Sequence, residues 1–226
     1  MGLLDAVIVY EEFGRSLVPS PHLESTVVSA GVLARARTPD QQAEWLPGIA
    51  AGRSILTPAW LEPDNSSGPS GIRLSAVTDS DEVVLTGTKR HVAFASAADR
   101  LVVLARGEAG IDLYLLDPRA DGVTLTLQRT VAGDTQYRVD MDGVRVPGTD
   151  RIGARGTGWA TWHAVMLDAL VLVAARAVGA AEAVHALTTD YARERHQFGK
   201  PIAAFQAISH SLADGITAID GARVLV

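Results

Sequence analysis

Apolar positions change their period twice along the chain, and those changes predict its elements. Leu3, Leu4, Val7, Tyr10 and Leu17 recur at helical spacing. "TPDQQAEWLPGIAAG" predicts a second helix: Thr38 caps it, Pro39 opens it, Gln41 completes a capping box, and Pro47 with Gly48 stops it. From roughly residue 54 to 147 the pattern becomes short β-rich runs: "SILTPAW", "IRLSAV", "EVVLTGTKRHVAF", "RLVVLAR", "IDLYLLD", "VTLTLQR" and "YRVDMDGVRVP". Turn sequences such as "PDNSSGPSG" and "RADG" separate them, so these seven strands predict an all-β sandwich or barrel. After "RIGARGTGWA" the helical period returns. Pro201 predicts a bend near the end of one long helix, beyond which Phe205, Ile208, Leu212, Ile216, Ile219 and Val224 line one face. Gly215 and Gly221 weaken that last helix by about 1 kcal/mol each relative to alanine, so packing must hold it.

The expected domain plan is therefore helical over 1–52, β over 53–150 and helical over 151–226. The first helix begins at residue 3 with no visible cap, and the chain stops at Val226 with no capping glycine, proline or polar tail. It reads as cut in mid-helix. Two long helices cannot enclose a bundle core, so a partner chain or further sequence is expected over their apolar faces.

Composition narrows the functional classes. With 226 residues, 47% hydrophobic and 20% charged, the chain has an ordinary globular composition. A net charge of -6 argues against sequence-independent nucleic-acid binding, so an anionic ligand must meet a local arginine cluster. The absence of cysteine removes thiolate nucleophiles and Cys-ligated metals and fits a cytoplasmic location. The apolar segment 166–187 is interrupted by Asp168, Arg176 and Glu182, and a buried helix is expected there rather than a membrane span. "GARGTG" (153–158) has the wrong spacing for a dinucleotide fingerprint and reads as a flexible linker. The six histidines show no metal-ligand spacing, and neither HExxH nor GxSxG occurs.

One segment carries a more specific signal. "YARERHQFGKPIAAFQAISHSLAD" (191–214) gathers arginines, histidine, glutamine and aromatics into a break between helices. Guanidinium groups make charge-assisted, bidentate contacts to phosphate oxygens, and a glutamine amide both donates and accepts. This stretch closely resembles the signature of the acyl-CoA dehydrogenase flavoprotein family. Weaker likenesses cover "YEEFGRSL", "AEWLPGIAAG", "LTGTKRHVAFASAADRLVVLAR", "DGVRVP" and "GTGW". The resemblance implies an α+β multidomain fold: a partial N-terminal helical domain, a middle antiparallel β-barrel or sandwich, and a partial C-terminal helical bundle. It also implies FAD, held between the β-domain and the bundle and reaching a second subunit. Carried over residue by residue, Arg195, His196 and Gln197 are implied contacts to the partner subunit's FAD. Phe198, Phe205 and Gln206 are implied further cofactor-facing positions, while Lys200 is expected to be a flexible surface charge.

The flavin-facing strands depart from the family pattern. A usual Thr-Glu-Pro and Gly-Ser-Asp become "WLEPDNSSGPSG", with Leu61 in place of the threonine and Ser66, Ser67 and Gly68 in the turn. Where the family reads Lys-x-Trp-Ile-Thr-Asn, this chain reads "KRHVAF": His91 replaces a ring-shielding tryptophan and Ala93 a threonine, with Phe94 covering part of the lost area. His91 is expected to donate to the flavin or to fill space.

The implied reaction is α,β-dehydrogenation of an acyl-CoA, in which a carboxylate takes the α-proton while the β-hydrogen leaves as hydride. In some members the base lies in the first long helix, at the position of Ala169 here, with its usual arginine neighbour at Leu170. Asp168 is one residue away and turned by about 100° on a helix, so no catalytic residue is assigned. An electron-transferring flavoprotein is the implied redox partner. The alternatives are a non-catalytic or degenerate subunit of a flavoprotein hetero-oligomer, and a flavin oxidase or monooxygenase on the same fold.

Overall fold

The computed structural model describes residues 2–36, 38–64 and 66–226. It forms two compact units, Ser20–Met166 and the pair of segments Met1–Pro19 and Leu167–Val226.

Seven of the eight strands in the first unit were expected. They are β1 (Leu56–Ala59), β2 (Ser75–Asp79), β3 (Glu82–Ala93), β4 (Arg100–Gly107), β5 (Gly110–Leu116), β6 (Val123–Gln128), β7 (Gln136–Pro147) and the short β8 (Arg151–Ile152). Their order is β6-β7-β3-β2-β4-β5-β8, with β1 parallel to β4. Pairing is antiparallel within β6-β7-β3-β2 and within β4-β5-β8, and one parallel pairing, Ser75 with Arg106, joins these halves. Alternate side chains from both halves, among them Val83, Leu85, Val139 and Met141 on one side and Leu101, Val103, Tyr114 and Leu116 on the other, meet in one core. The sheet thus closes over its own apolar face. Val102 and Leu104 point to the opposite face and are fully buried too, so β4 is covered on both sides.

Helical residues complete this unit: a π-helical stretch Leu23–Ser29 running into α2 (Ala30–Ala36), α3 (Pro39–Ala50), and the first turns of α4 (Gly158–Glu194). Helix α3 starts at Pro39 as its sequence predicts, but the capping box does not form. The Thr38 hydroxyl makes no cap bond and is buried without a partner. Gln41 instead donates its amide to the carbonyls of Thr149 (2.9 Å) and Arg151 (3.2 Å), closing loop groups that no helix end could reach. Pro47 does not stop α3, which continues to Ala50 and ends with the Arg53 and Ser54 amides on the Gly48 carbonyl. The "GARGTG" segment is not a loose linker: Asp112 Oδ1 accepts the Gly156 amide at 2.6 Å, and a Cβ at Gly158 would come within 2.7 Å of the β5 backbone.

The second unit holds α1 (Leu3–Arg15), the remainder of α4, the strand pair β9 (His196–Gln197) and β10 (Lys200–Pro201), and α5 (Gln206–Leu225). Helix α1 does have an N-terminal partner, since Asp5 Oδ2 accepts the Gly2 amide at 2.8 Å. Helices α1 and α4 touch backbone to backbone. A Cβ at Gly14 would lie 1.8 Å from the Arg176 carbonyl oxygen, and one at Gly179 would lie 1.9 Å from that of Glu11. Glu182 binds both Arg15 and Arg223 (2.7 Å), and Arg223 also reaches Glu11 (3.5 Å), so charges from α1, α4 and α5 interlock. Gly215 has a packing reason too: it leaves room for the His185 ring, whose Nε2 meets the Leu212 carbonyl at 2.8 Å.

Little of this unit is enclosed. Leu4, Ile8, Leu167, Leu170, Val184 and Leu187 are exposed, and α5 buries no residue. By length and composition alone α4 could cross a bilayer, its most apolar window reaching a mean hydropathy of 1.9, yet a core helix meets the same criterion.

Candidate functional site

The break between α4 and α5 is a built corner rather than a proline bend. Helix α4 ends at Glu194, seven residues before Pro201. The Arg195 amide closes the last turn on the Tyr191 carbonyl, and the Ile202 amide returns to the Arg195 carbonyl, each at 2.8 Å. Between them His196 pairs with Pro201 and Gln197 with Lys200. The turn residues Phe198 and Gly199 both have positive φ, 54° and 80°, which is the primed geometry that a two-residue hairpin favours. That geometry throws Phe198 outward, 92% exposed, with its ring edge-to-face against Phe205 at 6.1 Å. Lys200 is not a free surface charge; its ammonium lies 4.4 Å from the centre of the Phe205 ring.

All the corner residues implied by the resemblance are thus brought together on one knuckle. Arg195, His196, Gln197 and Gln206 are exposed and Phe205 half-buried. The His196 ring turns back to the Glu194 carbonyl (3.0 Å), whereas the Arg195 guanidinium makes no ion pair or side-chain hydrogen bond among the described residues. Arg195 and Phe198 are both exposed on this corner, and an unpaired guanidinium can make charge-assisted, bidentate contacts to phosphate oxygens.

The strand positions lie in the first unit. Leu61 is half-buried, and its carbonyl accepts the Arg90 amide at 2.8 Å. Ser67 is exposed, and the half-buried Ala93 offers its carbonyl to the Thr57 hydroxyl at 2.7 Å. Phe94 is held at φ 54°, its amide on the Thr135 carbonyl at 3.0 Å. His91, at φ 55°, sits in a β-bulge where two residues of β3 oppose one of β7. Its amide donates to Gln128 Oε1 (2.8 Å) and its Nδ1 meets Gln136 Oε1 (2.9 Å), so hydrogen bonds orient the ring.

Sequence reasoning missed what supports these positions. Glu62 lies beneath the 60–74 loop and accepts the amides of Arg73 and Leu74 at 2.9 Å. Lys89, with a fully buried side chain, reaches Glu62 Oε1 at 2.7 Å and the Trp60 carbonyl at 3.3 Å. Burial outweighs the attraction of Glu62 and pushes Lys89 down to about 8. The two partners are 27 residues apart, and no periodic signal links them.

Ala169 is buried (1% exposed) and its neighbour Leu170 is exposed. No group of three or more metal-ligating side chains occurs among the described residues.

Residues 156–226 match the family described as acyl-CoA dehydrogenase, C-terminal domain. The chain is 33% identical to the acyl-CoA dehydrogenase FadE27 of Mycobacterium tuberculosis, aligning 99% of itself with 57% of that protein. It is 31% identical to the caffeyl-CoA reductase-Etf complex subunit CarC of Acetobacterium woodii, over 97% of this chain and 61% of the relative. Among solved structures, the ChsE4-ChsE5 complex of M. tuberculosis contains a chain that superposes with a TM-score of 0.87 at 31% identity, over 97% of this chain and 58% of that one. The chain therefore spans about three fifths of the length of the relatives it matches.

Proposed function

We propose, from the premise that this chain belongs to the acyl-CoA dehydrogenase family, that it binds FAD and takes part in α,β-dehydrogenation of an acyl-CoA thioester. The unpaired Arg195, on the same corner as the outward Phe198, carries this reading. Bound FAD would supply the hydride acceptor. Arg195 would grip phosphate oxygens of a second subunit's cofactor, with His196 and Gln197 beside it and Phe198, Phe205 and Gln206 lending ring and amide contacts. Leu61, Ser67, His91 and Ala93 would face the flavin held by this chain's own β-region. Residues 1–52, 53–150 and 151–226 are read as the family's N-terminal, middle and C-terminal parts, working in the cytoplasm. An electron-transferring flavoprotein is the proposed oxidant of the reduced cofactor, in keeping with the relative named as an Etf-complex subunit.

A second reading has its own support. With alanine at position 169, this chain carries no carboxylate at that helix position. One structural neighbour is a chain of a complex of two differently named proteins. A non-catalytic subunit of a hetero-oligomer would keep the corner and leave proton abstraction to its partner.

Purified protein mixed with FAD and desalted tests the cofactor. Retained flavin absorbance is expected; a colourless protein overturns the proposal. Arg195→Ala should weaken retention by roughly ten- to a hundredfold, the worth of a charge-assisted contact. Acyl-CoA turnover by the chain alone would exclude the non-catalytic reading.

A further inference from the structure

We infer that His91 is a ligand-facing hydrogen-bond acceptor whose tautomer is fixed by Gln136 and Asp134. The polarity of the chain of hydrogen bonds runs outward from the carboxylate. The Thr130 hydroxyl and the Gln136 amide both donate to Asp134. The Thr130 bond leads the effects holding Asp134 below the usual carboxylate range, so it remains an acceptor. Gln136 must therefore turn its NH₂ toward Asp134 and its oxygen toward His91. An amide oxygen only accepts, so the His91 nitrogen 2.9 Å away, Nδ1, must carry the proton. In the neutral form of that ring the lone pair lies on Nε2.

Backbone geometry fixes the ring just as firmly. The bulge holds His91 at φ 55° and sends its amide to Gln128 Oε1, while Gln128 and Gln136 are cross-strand partners on β6 and β7. Both faces of attachment thus come from one adjacent pair of strands. Nε2 has no hydrogen-bond partner among the described residues and is not a buried, unsatisfied atom. A half-buried imidazole held this way presents one open acceptor, and the group that completes it must offer an N–H or O–H.

The ligand assignment rests on the proposed function, in which His91 faces the flavin. An oxidised flavin ring offers one N–H donor, at N3, so the inference names His91 Nε2 as an acceptor for it, where a tryptophan could only donate.

Nitrogen NMR of ¹⁵N-histidine-labelled protein tests the first part, with His91 identified by the signal lost in His91→Asn. The Nδ1–H tautomer is expected, and a predominant Nε2–H tautomer overturns the inference. Adding FAD tests the second. Retained flavin with a displaced His91 Nε2 signal supports it. Retained flavin with that signal unmoved sinks the inference and leaves the proposed function intact. If the tautomer is as expected and no flavin is retained, the proposed function fails and takes the ligand assignment with it. Gln136→Leu should abolish the tautomer preference and weaken FAD binding about fivefold, the worth of one net hydrogen bond. Asp134→Asn, in an exposed loop, gives the same test if Gln136→Leu does not fold: it should mix the two tautomers, and an unchanged tautomer counts against the inference.

Discussion

Lys89 and Leu187 show how differently the two units treat their side chains. In Ser20–Met166 an ammonium group is wholly enclosed, and the surrounding loop supplies a carboxylate and a carbonyl to it. In the helical unit a leucine two turns before the end of α4 is 72% exposed, and α5 buries no residue. The β-rich unit pairs its buried Lys89 with Glu62 from its own residues. The helical unit ties its helices together through the Glu182 cluster but leaves a broad apolar surface open. Stability should accordingly depend on internal pairing in one unit and on backbone contact and surroundings in the other.

The sharpest way to break this contrast is Lys89→Met. It strands the Glu62 charge in the interior and should cost about 3 to 5 kcal/mol. All four tryptophans, at 45, 60, 159 and 162, lie in Ser20–Met166, so fluorescence-detected denaturation reads that unit alone. Adding Glu62→Gln should recover much of the loss; no recovery would mean that the pair is not the cause. Next in size is Gly179→Ala, which forces a methyl into the Glu11 carbonyl and should cost about 1 to 3 kcal/mol. That loss should appear in helical circular dichroism before it appears in fluorescence, and coincident shifts would mean that the units unfold together.

Acid and base separate the units more gently. Lys89 titrates near 8 in the folded protein against an ordinary 10.5, so the unfolded chain holds its proton longer and stability should rise as pH climbs between those values. Lys89→Met should flatten that rise. Glu182 is held below its ordinary 4.5, first by Arg15, so its contribution is present above that value and fades as pH falls through the folded one. Glu182→Gln should cost at most about 1 kcal/mol at neutral pH and remove that part of the acid loss, as measured by helical circular dichroism.

What could be read from the sequence was whatever repeats locally. The seven strands follow from short β-rich runs set apart by turn sequences. The start of α3 follows from Pro39. The failures share a cause, which is partnership at a distance. Gln41 was expected to cap its own helix, but carbonyls 108 and 110 residues away claim its amide. His91 owes its orientation to Gln136, 45 residues on, and Glu62 owes its burial to Lys89. Pro201 suggested a bend because proline breaks helices, yet the chain had already left α4 at Arg195 to make the hairpin. The corner residues were picked out through family likeness, and the exposure of Phe198 followed only from the two positive φ angles.

The primed turn at Phe198–Gly199 also has a thermodynamic consequence. Loops that recognise a partner usually lose conformational freedom on contact, and each immobilised side chain subtracts roughly 0.5 to 1.5 kcal/mol from affinity. Here two closing amides, a strand pair and the stack of Lys200 on Phe205 have already removed that freedom during folding. Whatever lands on this knuckle meets a surface whose ordering cost was met in advance. Gly199→Val, which disfavours φ 80° without touching an outward side chain, should therefore weaken binding chiefly through entropy, which calorimetry would detect.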